Sequence, residues 1–451
     1  MTRATAPRQS AVPQTSAPTS PPTPAGSFDE LPLAPALLSA LRAQGVTEPF
    51  PIQAATLPAT LAGRDVLGRG RTGSGKTLAF GLAMLHRTAG KRAVSKRPLA
   101  LVLVPTRELA GQVSEALAPY AAALELRTAT VVGGTSITRQ VDALRKGTEV
   151  LVATPGRLAD LLDRRACKLD QVAVTVLDEA DQMTDMGFLP QVTRLMEKVD
   201  PNGQRMLFSA TLDRNVDKLV RRFLTDPVTH SVDPSAATVT TMDHHVLYVD
   251  DVDKRATATE IAAREGRVIM FVDTKRGADR LTKHLLAQGV RAAALHGGKS
   301  QPQRTRTLEQ FRTGDASALI ATNVAARGIH IDGLDLVVNV DPPTEAKDYL
   351  HRGGRTARAG ESGTVVTLVT PGQRRDMTRL MRQAQISPGT AEVAPGDTEL
   401  IRITGARTPN GVPIVAAAPA TAASAGAAGN GGRRRPRRGR PARRSAGTQR
   451  T

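Results

Sequence analysis

Two stretches of this 451-residue chain combine side chains that can do chemistry only in company. Gly70-Arg71-Thr72-Gly73-Ser74-Gly75-Lys76-Thr77 has the spacing G-x-x-x-x-G-K-[ST] of a phosphate-holding loop. Glycines let backbone N–H groups turn inward and approach phosphate oxygens without a Cβ in the way. Lys76 can neutralise the terminal phosphates, and Thr77 can offer a hydroxyl to Mg²⁺. Further along, the apolar run Val172–Leu177 ends in Asp178-Glu179-Ala180-Asp181. A carboxylate at the end of a buried strand suits a water-bridged Mg²⁺, here Asp178, and the next one, Glu179, can orient and deprotonate an attacking water. Together the two stretches predict hydrolysis of a nucleoside triphosphate.

Such groups must be held by elements that place loops at strand ends. Short apolar runs at 65–68, 99–104, 128–132, 150–153, 172–177 and 205–208 read as strands, separated by helical stretches such as 77–88 and 107–120. The alternation predicts a parallel sheet covered by helices on both faces. After a stretch without periodicity, 229–241, the alternation restarts with strands at 268–272, 291–295, 318–321, 336–340 and 364–369. The expected organisation is a Pro/Ser/Thr-rich disordered tail (1–26), a first α/β domain (27–228), a linker (229–241), a second α/β domain (242–388) and a low-complexity basic tail (389–451).

The net charge is +19, and most of the excess lies in the tails. No acid follows Glu399, whereas eleven arginines do, eight of them within Arg433–Arg444. A basic arm on a near-balanced core suits a polyanion, held by counterion release. Aromatic residues are only 2% of the chain and Trp is absent, so nucleic acid would be gripped through its backbone more than by base stacking. The lone Cys167 forms no internal disulfide, and no His/Cys grouping has metal spacing. Neither a secretory signal nor an apolar run of membrane-spanning length is visible, so the expectation is a soluble, cytoplasmic chain with no membrane partner.

On these motifs the chain resembles the DEAD-box ATP-dependent RNA helicases of helicase superfamily two, from about Phe28 to Ile386. That resemblance implies two tandem RecA-like domains. Phe28 and the segment Gly45–Gln53 resemble the adenine-reading Q motif, in which the Gln53 amide pairs with adenine and selects ATP. With Arg71, Thr72, Gly73, Ser74, Gly75, Lys76 and Thr77 they form the implied ATP site, with Mg²⁺ on Thr77 and Asp178. Pro105, Thr106 and Arg107, then Gly133 and Gly134, then Thr154, Pro155, Gly156 and Arg157 resemble the first domain's RNA-backbone segments. His296, Gly297, Gln301, Arg304 and Thr322 resemble those of the second. Ser209 and Thr211 resemble a coupling motif whose hydroxyls bond the acidic cluster, Asp181 in particular, with His351 as a further coupling residue. Gly328 and His330 fall in a motif that touches the nucleotide. Arg355 and Arg358 resemble arginine fingers that reach the γ-phosphate from the other domain.

The resemblance therefore implies an RNA-stimulated ATPase that separates RNA strands locally, binding single-stranded or duplex regions through their backbone. Ribosomal or RNA-decay assemblies are the expected setting, and a monomer the expected state. Two other readings of the same motifs are a non-unwinding ATP-gated RNA clamp and a DNA-directed helicase of the same superfamily.

Overall fold

Alternation of inward-pointing apolar residues along short strands builds two sheets, each with a core on both faces. In this computed structural model the described residues are 23–70, 74–231, 242–326, 334–356 and 362–414. The first lobe contains β1 (Val66–Arg69), β2 (Ala100–Leu103), β3 (Thr128–Val131), β4 (Val150–Ala153), β5 (Val174–Asp178), β6 (Gln204–Ser209) and β7 (Val228–Ser231). Its helices are α1 (Pro35–Ala43), α2 (Pro51–Leu61), α3 (Lys76–Thr88), α4 (Arg107–Ala123), α5 (Ile137–Arg145), α6 (Pro155–Asp163), α7 (Ala180–Asp185), α8 (Leu189–Met196) and α9 (Arg214–Phe223). The strands pair in parallel in the order β3-β4-β2-β5-β6-β1-β7. Val66, Val102, Val152, Val176 and Phe208 enter one core, while their neighbours Leu67, Leu101, Leu151, Leu177 and Leu207 enter the other. This period of two is what a sheet buried on both faces requires.

The second lobe repeats the plan. It comprises β8 (Met242–Tyr248), β9 (Val268–Phe271), β10 (Ala292–Leu295), β11 (Ala318–Ala321), β12 (Leu336–Asn339), β13 (Gly363–Val369) and β14 (Gly389–Glu392). Helices α10 (Lys254–Ala262), α11 (Lys275–Ala287), α12 (Gln301–Thr313), α13 (Asn323–Ala326), α14 (Ala346–Gly353), α15 (Arg374–Ala384) and α16 (Thr398–Thr404) alternate with them. The order is β10-β11-β9-β12-β13-β8-β14, again parallel throughout. The expected pair of parallel, helix-covered sheets is the architecture found. Among the described residues no helix is long and apolar enough to cross a membrane.

Two boundaries differ from the sequence reading. Residues 229–231 belong to β7, paired with β1, where a linker was expected. The segment from 389 to 414, read as the start of the low-complexity tail, instead adds β14 beside β8 and places α16 against the core through buried Leu400. Its end is fastened to the turn after α11, where Gly411 N donates to Gln288 O and Ile414 N to Leu286 O. Both additions are edge strands of four residues with mixed polarity, which leave no periodic signal. The tails 1–22 and 415–451 lie outside the described residues, as does 232–241.

Gly68, on β1 just before the phosphate loop, sits against Phe208 of β6: a Cβ there would lie 2.5 Å from the ring. Gly68→Ala should therefore destabilise the chain by about 1–3 kcal/mol through overpacking, read from the urea midpoint at unchanged m-value. An unshifted midpoint would show that the ring yields freely.

Candidate functional site

Every strand of the first lobe from β1 to β6 delivers a candidate segment at its carboxyl end, the edge where open parallel sheets hold ligands. After β1, Gly75 caps α3 in the left-handed conformation (φ +88°). A Cβ at Gly75 would lie 2.6 Å from Gln53 Nε2 and 2.8 Å from the Phe50 ring, so the position needs glycine twice over. Gly70 N donates to Ser209 O, tying the loop to the end of β6. Arg71, Thr72 and Gly73 lie outside the described residues. Ser74 and Thr77 flank Lys76 at the start of α3, where the positive end of the helix dipole favours an anion.

Lys76 and Glu179 are both about 5% exposed, and Lys76 Nζ lies 3.3 Å from Glu179 Oε1. Burial works to lower the lysine's pKa, but Glu179, then Asp178 and Asp181, hold the ammonium above its ordinary range. Glu179 follows β5 in the left-handed conformation (φ 53°), which a glutamate adopts only where its surroundings impose it. Burial disfavours its charge. Lys76 nevertheless holds it below the usual carboxylate range, helped by Arg355 and His351 from the second lobe against the opposing Asp181. For Asp178, burial dominates: with Glu179 and Asp181 beside it, its carboxyl is pushed up to about 7 despite Lys76. Two adjacent carboxyls are thus driven apart in acidity by their surroundings, as acid–base sites require.

Asp181, fully buried, is the hub of the coupling residues. Its Oδ2 accepts from Thr211 N (2.9 Å) and Thr211 Oγ1 (2.8 Å), and its Oδ1 from Gln182 N. His351 Nε2 of the second lobe stands 3.7 Å from Oδ2. Burial would raise its pKa, but the histidine and Thr211 hold it well below the carboxylate range. Ser209 differs from expectation. Its hydroxyl does not bond the carboxylate; it accepts from Asp181 N and donates to Thr211 O, because β6 ends with that side chain turned toward the first turn of α7.

Gln53 is 1% exposed and its amide is already engaged. Oε1 accepts from Phe50 N, and Nε2 donates to Gly75 O. The bidentate adenine pairing expected from the sequence therefore has to share these bonds, and here Gln53 braces the phosphate loop. Phe28, expected at the nucleotide, is packed into the core with Leu31, Leu33 and Leu37. It anchors the segment before α1 from beneath. Gly328, His330 and Arg358 lie outside the described residues. Arg355, 5% exposed, donates from Nε to His351 O and adds its charge to the field on Glu179.

The RNA candidates of the first lobe gather round one cleft of about 440 Å³, lined by Pro105, Thr106, Arg107, Gly133, Thr154, Gly156 and Arg157, with Arg304 from the second lobe. Two helices, α4 and α6, begin at this cleft, and Thr106 Oγ1 caps α4 by accepting from Leu109 N. Arg107 passes over Gly134 so closely that a Cβ there would lie 1.8 Å from Nη1. Pro155 is buried as the first residue of α6 and serves as a helix starter. Arg157 donates to Thr135 O. In the second lobe, Gln301 and Arg304 both reach Glu108 Oε1, at 3.3 and 3.0 Å, stitching the lobes together across the cleft. His296 is turned inward: Nε2 lies 3.0 Å from Asp279, and Nδ1 accepts from Gly298 N. It shapes the loop, leaving Gly297 at its surface next to Lys275. Thr322 is nearly buried at the end of β11.

Sequence reasoning missed Glu108, which directly follows Pro105, Thr106 and Arg107, because an acid carries no signal for a segment expected to bind phosphates. It also missed Met186 and Phe188, which line the cleft, and Lys347, which bridges the lobes. Cys167 is buried and its thiol is pushed up to about 12 by that burial, so it stays inert.

Two parallel α/β lobes that meet beside a buried acid–lysine cluster define a tandem RecA-like fold. Family models agree: residues 50–219 match the DEAD/DEAH box helicase model and 253–360 the helicase conserved C-terminal domain. The chain belongs to the DEAD-box helicase family. It is 40% identical over 359 residues to a Danio rerio protein described as a probable ATP-dependent RNA helicase DDX46, covering 78% of this chain and 35% of that one. It is 38% identical over 366 residues to the Mycosarcoma maydis pre-mRNA-processing ATP-dependent RNA helicase PRP5, covering 78% and 32%. The chain thus spans about a third of the length of these curated relatives. Among solved structures, S. cerevisiae Dbp5 bound to RNA and ADP BeF3 aligns with a TM-score of 0.74 at 31% identity, covering 82% of this chain and 96% of that one.

Because the folded Asp178 carboxyl is raised, the sign of its pH effect is fixed. Its cost is absent below its ordinary value of 3.8, where folded and unfolded forms are both protonated, and grows until about pH 7. Asp178→Asn should therefore gain stability over the unsubstituted protein as pH rises from 5 to 8 without nucleotide or metal, compared by urea denaturation. A stability difference independent of pH would contradict the assignment.

Proposed function

We propose that the chain is an RNA-stimulated ATPase that couples ATP binding and hydrolysis to local separation of RNA strands. The observation that carries this reading is the meeting of Lys76 and Glu179 from one lobe with Arg355 and His351 from the other around a single buried carboxylate cluster. Lys76 and the N–H groups at the start of α3 bind the phosphates of ATP. Glu179, held ionised, takes a proton from water as the water oxygen bonds to the γ-phosphorus and the bond to the β–γ bridging oxygen breaks, releasing ADP and phosphate. Arg355 offsets the charge that gathers on the transferring group. Any single group of this kind is insufficient; the constellation needs both lobes.

A divalent cation fits the donor set. Asp178, buried with its pKa raised, is short of positive charge, and the Thr77 hydroxyl stands at a helix start. Thr77 and Asp178 are the residues that would hold Mg²⁺, whose chemistry there is neutralisation of the phosphates.

RNA occupies the cleft between Arg107, Arg157 and Arg304, its phosphates directed to the starts of α4 and α6. The Glu108 bridge to Gln301 and Arg304 exists only with the lobes together, so a strand lying across it and ATP in the seam favour the same closed form. Support for RNA as the polynucleotide comes from the RNA helicase relatives and from the RNA-bound neighbour. The arginine-rich tail after 432 serves as a second, sequence-independent RNA contact.

Glu179→Gln should bind ATP and a single-stranded RNA oligonucleotide normally, yet lose about 100-fold or more in RNA-stimulated turnover, the scale of a lost general base. Retained turnover, measured by phosphate release, would dismiss Glu179 as the base.

A further inference from the structure

Helices α7 and α14 belong to different lobes, and each carries ionisable side chains at helical spacing. On α7, Asp181 and Asp185 stand four residues apart, with Glu179 immediately before the helix. On α14 and just beyond it, Lys347, His351 and Arg355 stand at successive intervals of four. Residues so spaced share a face. The contacts pair them in opposite directions along the chain: Asp181 faces His351 at 3.7 Å, and Asp185 Oδ1 lies 2.9 Å from Lys347 Nζ. Arg355, one turn further, lends its charge to Glu179. The two segments therefore form an antiparallel ladder, and the nucleotide site lies at one end of it.

Lys347 is the rung farthest from the chemistry and the best built. Its ammonium is also 2.8 Å from Asp213 Oδ2, and its side chain is only 19% exposed. Asp213 is fixed in turn, because its Oδ1 accepts from Asn215 N and Val216 N as the cap of α9. Asp185 at the end of α7 and Asp213 after the coupling segment thus grip one lysine from two sides. Asp213 is thus preorganised by the first lobe, so little of its side-chain order is lost when the lysine arrives. Consistent with this, and although burial works against it, Asp213 and Asp185 hold the Lys347 ammonium above its ordinary range.

We propose that Lys347 is a positioning residue: bound between Asp185 and Asp213, it sets the register of α14 on α7 and so delivers Arg355 to Glu179. The proposal rests on the ATPase reading above. It assigns no contact between Lys347 and the nucleotide. A slip of α14 by one turn would leave the lysine without its acids and move Arg355 off the carboxylate cluster.

The test is RNA-stimulated ATP hydrolysis by the full chain carrying Lys347→Met, Lys347→Arg, Arg355→Ala, or Lys347→Met with Arg355→Ala. Thermal melts of each confirm the fold. The expected result for Lys347→Met is a loss of about tenfold in kcat, the scale of an interdomain coupling, with KM for ATP little changed. Lys347→Arg should recover most of that loss, and the double variant should be no slower than Arg355→Ala alone, since both act through one arginine. An unchanged kcat in Lys347→Met, or losses that multiply in the double variant, would overturn the proposal. If the unsubstituted protein itself shows no RNA-stimulated hydrolysis, the function reading fails and the register is read directly from a crystal structure of Lys347→Met. Arg355 still beside Glu179 in that crystal would overturn the proposal too, and Arg355 displaced from it would sustain it.

Discussion

Three carboxyl groups, Asp178, Glu179 and Asp181, stand within one buried turn, and among the described residues of their own lobe Lys76 is the cation paired with them. This imbalance of charge is the constraint on which the rest of the molecule turns. Burying anions without partners is costly, so the cluster must draw cations from elsewhere. The second lobe provides the Arg355 guanidinium, with the His351 imidazole beside Asp181. The seam is held by attraction that the first lobe cannot satisfy alone, which is why a catalytic constellation divided between two lobes can still be well ordered.

The same logic explains how distant segments sense each other. Asp181 is bonded to Thr211 and faces His351, while the phosphate loop is tied to Ser209 at the end of the same strand. A change at the phosphates is therefore one hydrogen bond from the hinge of the seam. Elsewhere on the lobe interface, Glu108 holds Gln301 and Arg304. Both sets of contacts thus depend on a single mechanical event, the docking of α14 and α12 onto the first lobe, without a continuous wire of contacts between them.

Much of this was legible in the sequence, for physical reasons. The phosphate loop and the acidic strand end are local: their chemistry depends on residues adjacent in the chain, and both stand where strand and helix patterns placed them. The doubling of the α/β plan was also legible, because strands buried on both faces read as apolar runs. What escaped reading was set by partners remote in sequence. β7 and β14 are polar edge strands that make sense only beside β1 and β8. His296 and Gln53 look like ligand contacts by type, yet Asp279, Phe50 and Gly75 claim their polar atoms first. Phe28 packs with Leu31, Leu33 and Leu37, a placement that only the tertiary core defines. Lys347 carries no motif; its spacing to His351 and Arg355 means something only once α7 lies opposite.

The central claim is that Glu179 is bracketed by Lys76 from its own lobe and Arg355 from the other when the nucleotide is cleaved. A crystal structure of the full chain with single-stranded RNA and an ADP–metal fluoride mimic of the transferring phosphate tests it most directly. The account predicts the Arg355 guanidinium within hydrogen-bond reach of the mimic, with the Asp181–His351 pairing kept. Lobes swung apart, or Arg355 turned to solvent beside a fully occupied site, would contradict it.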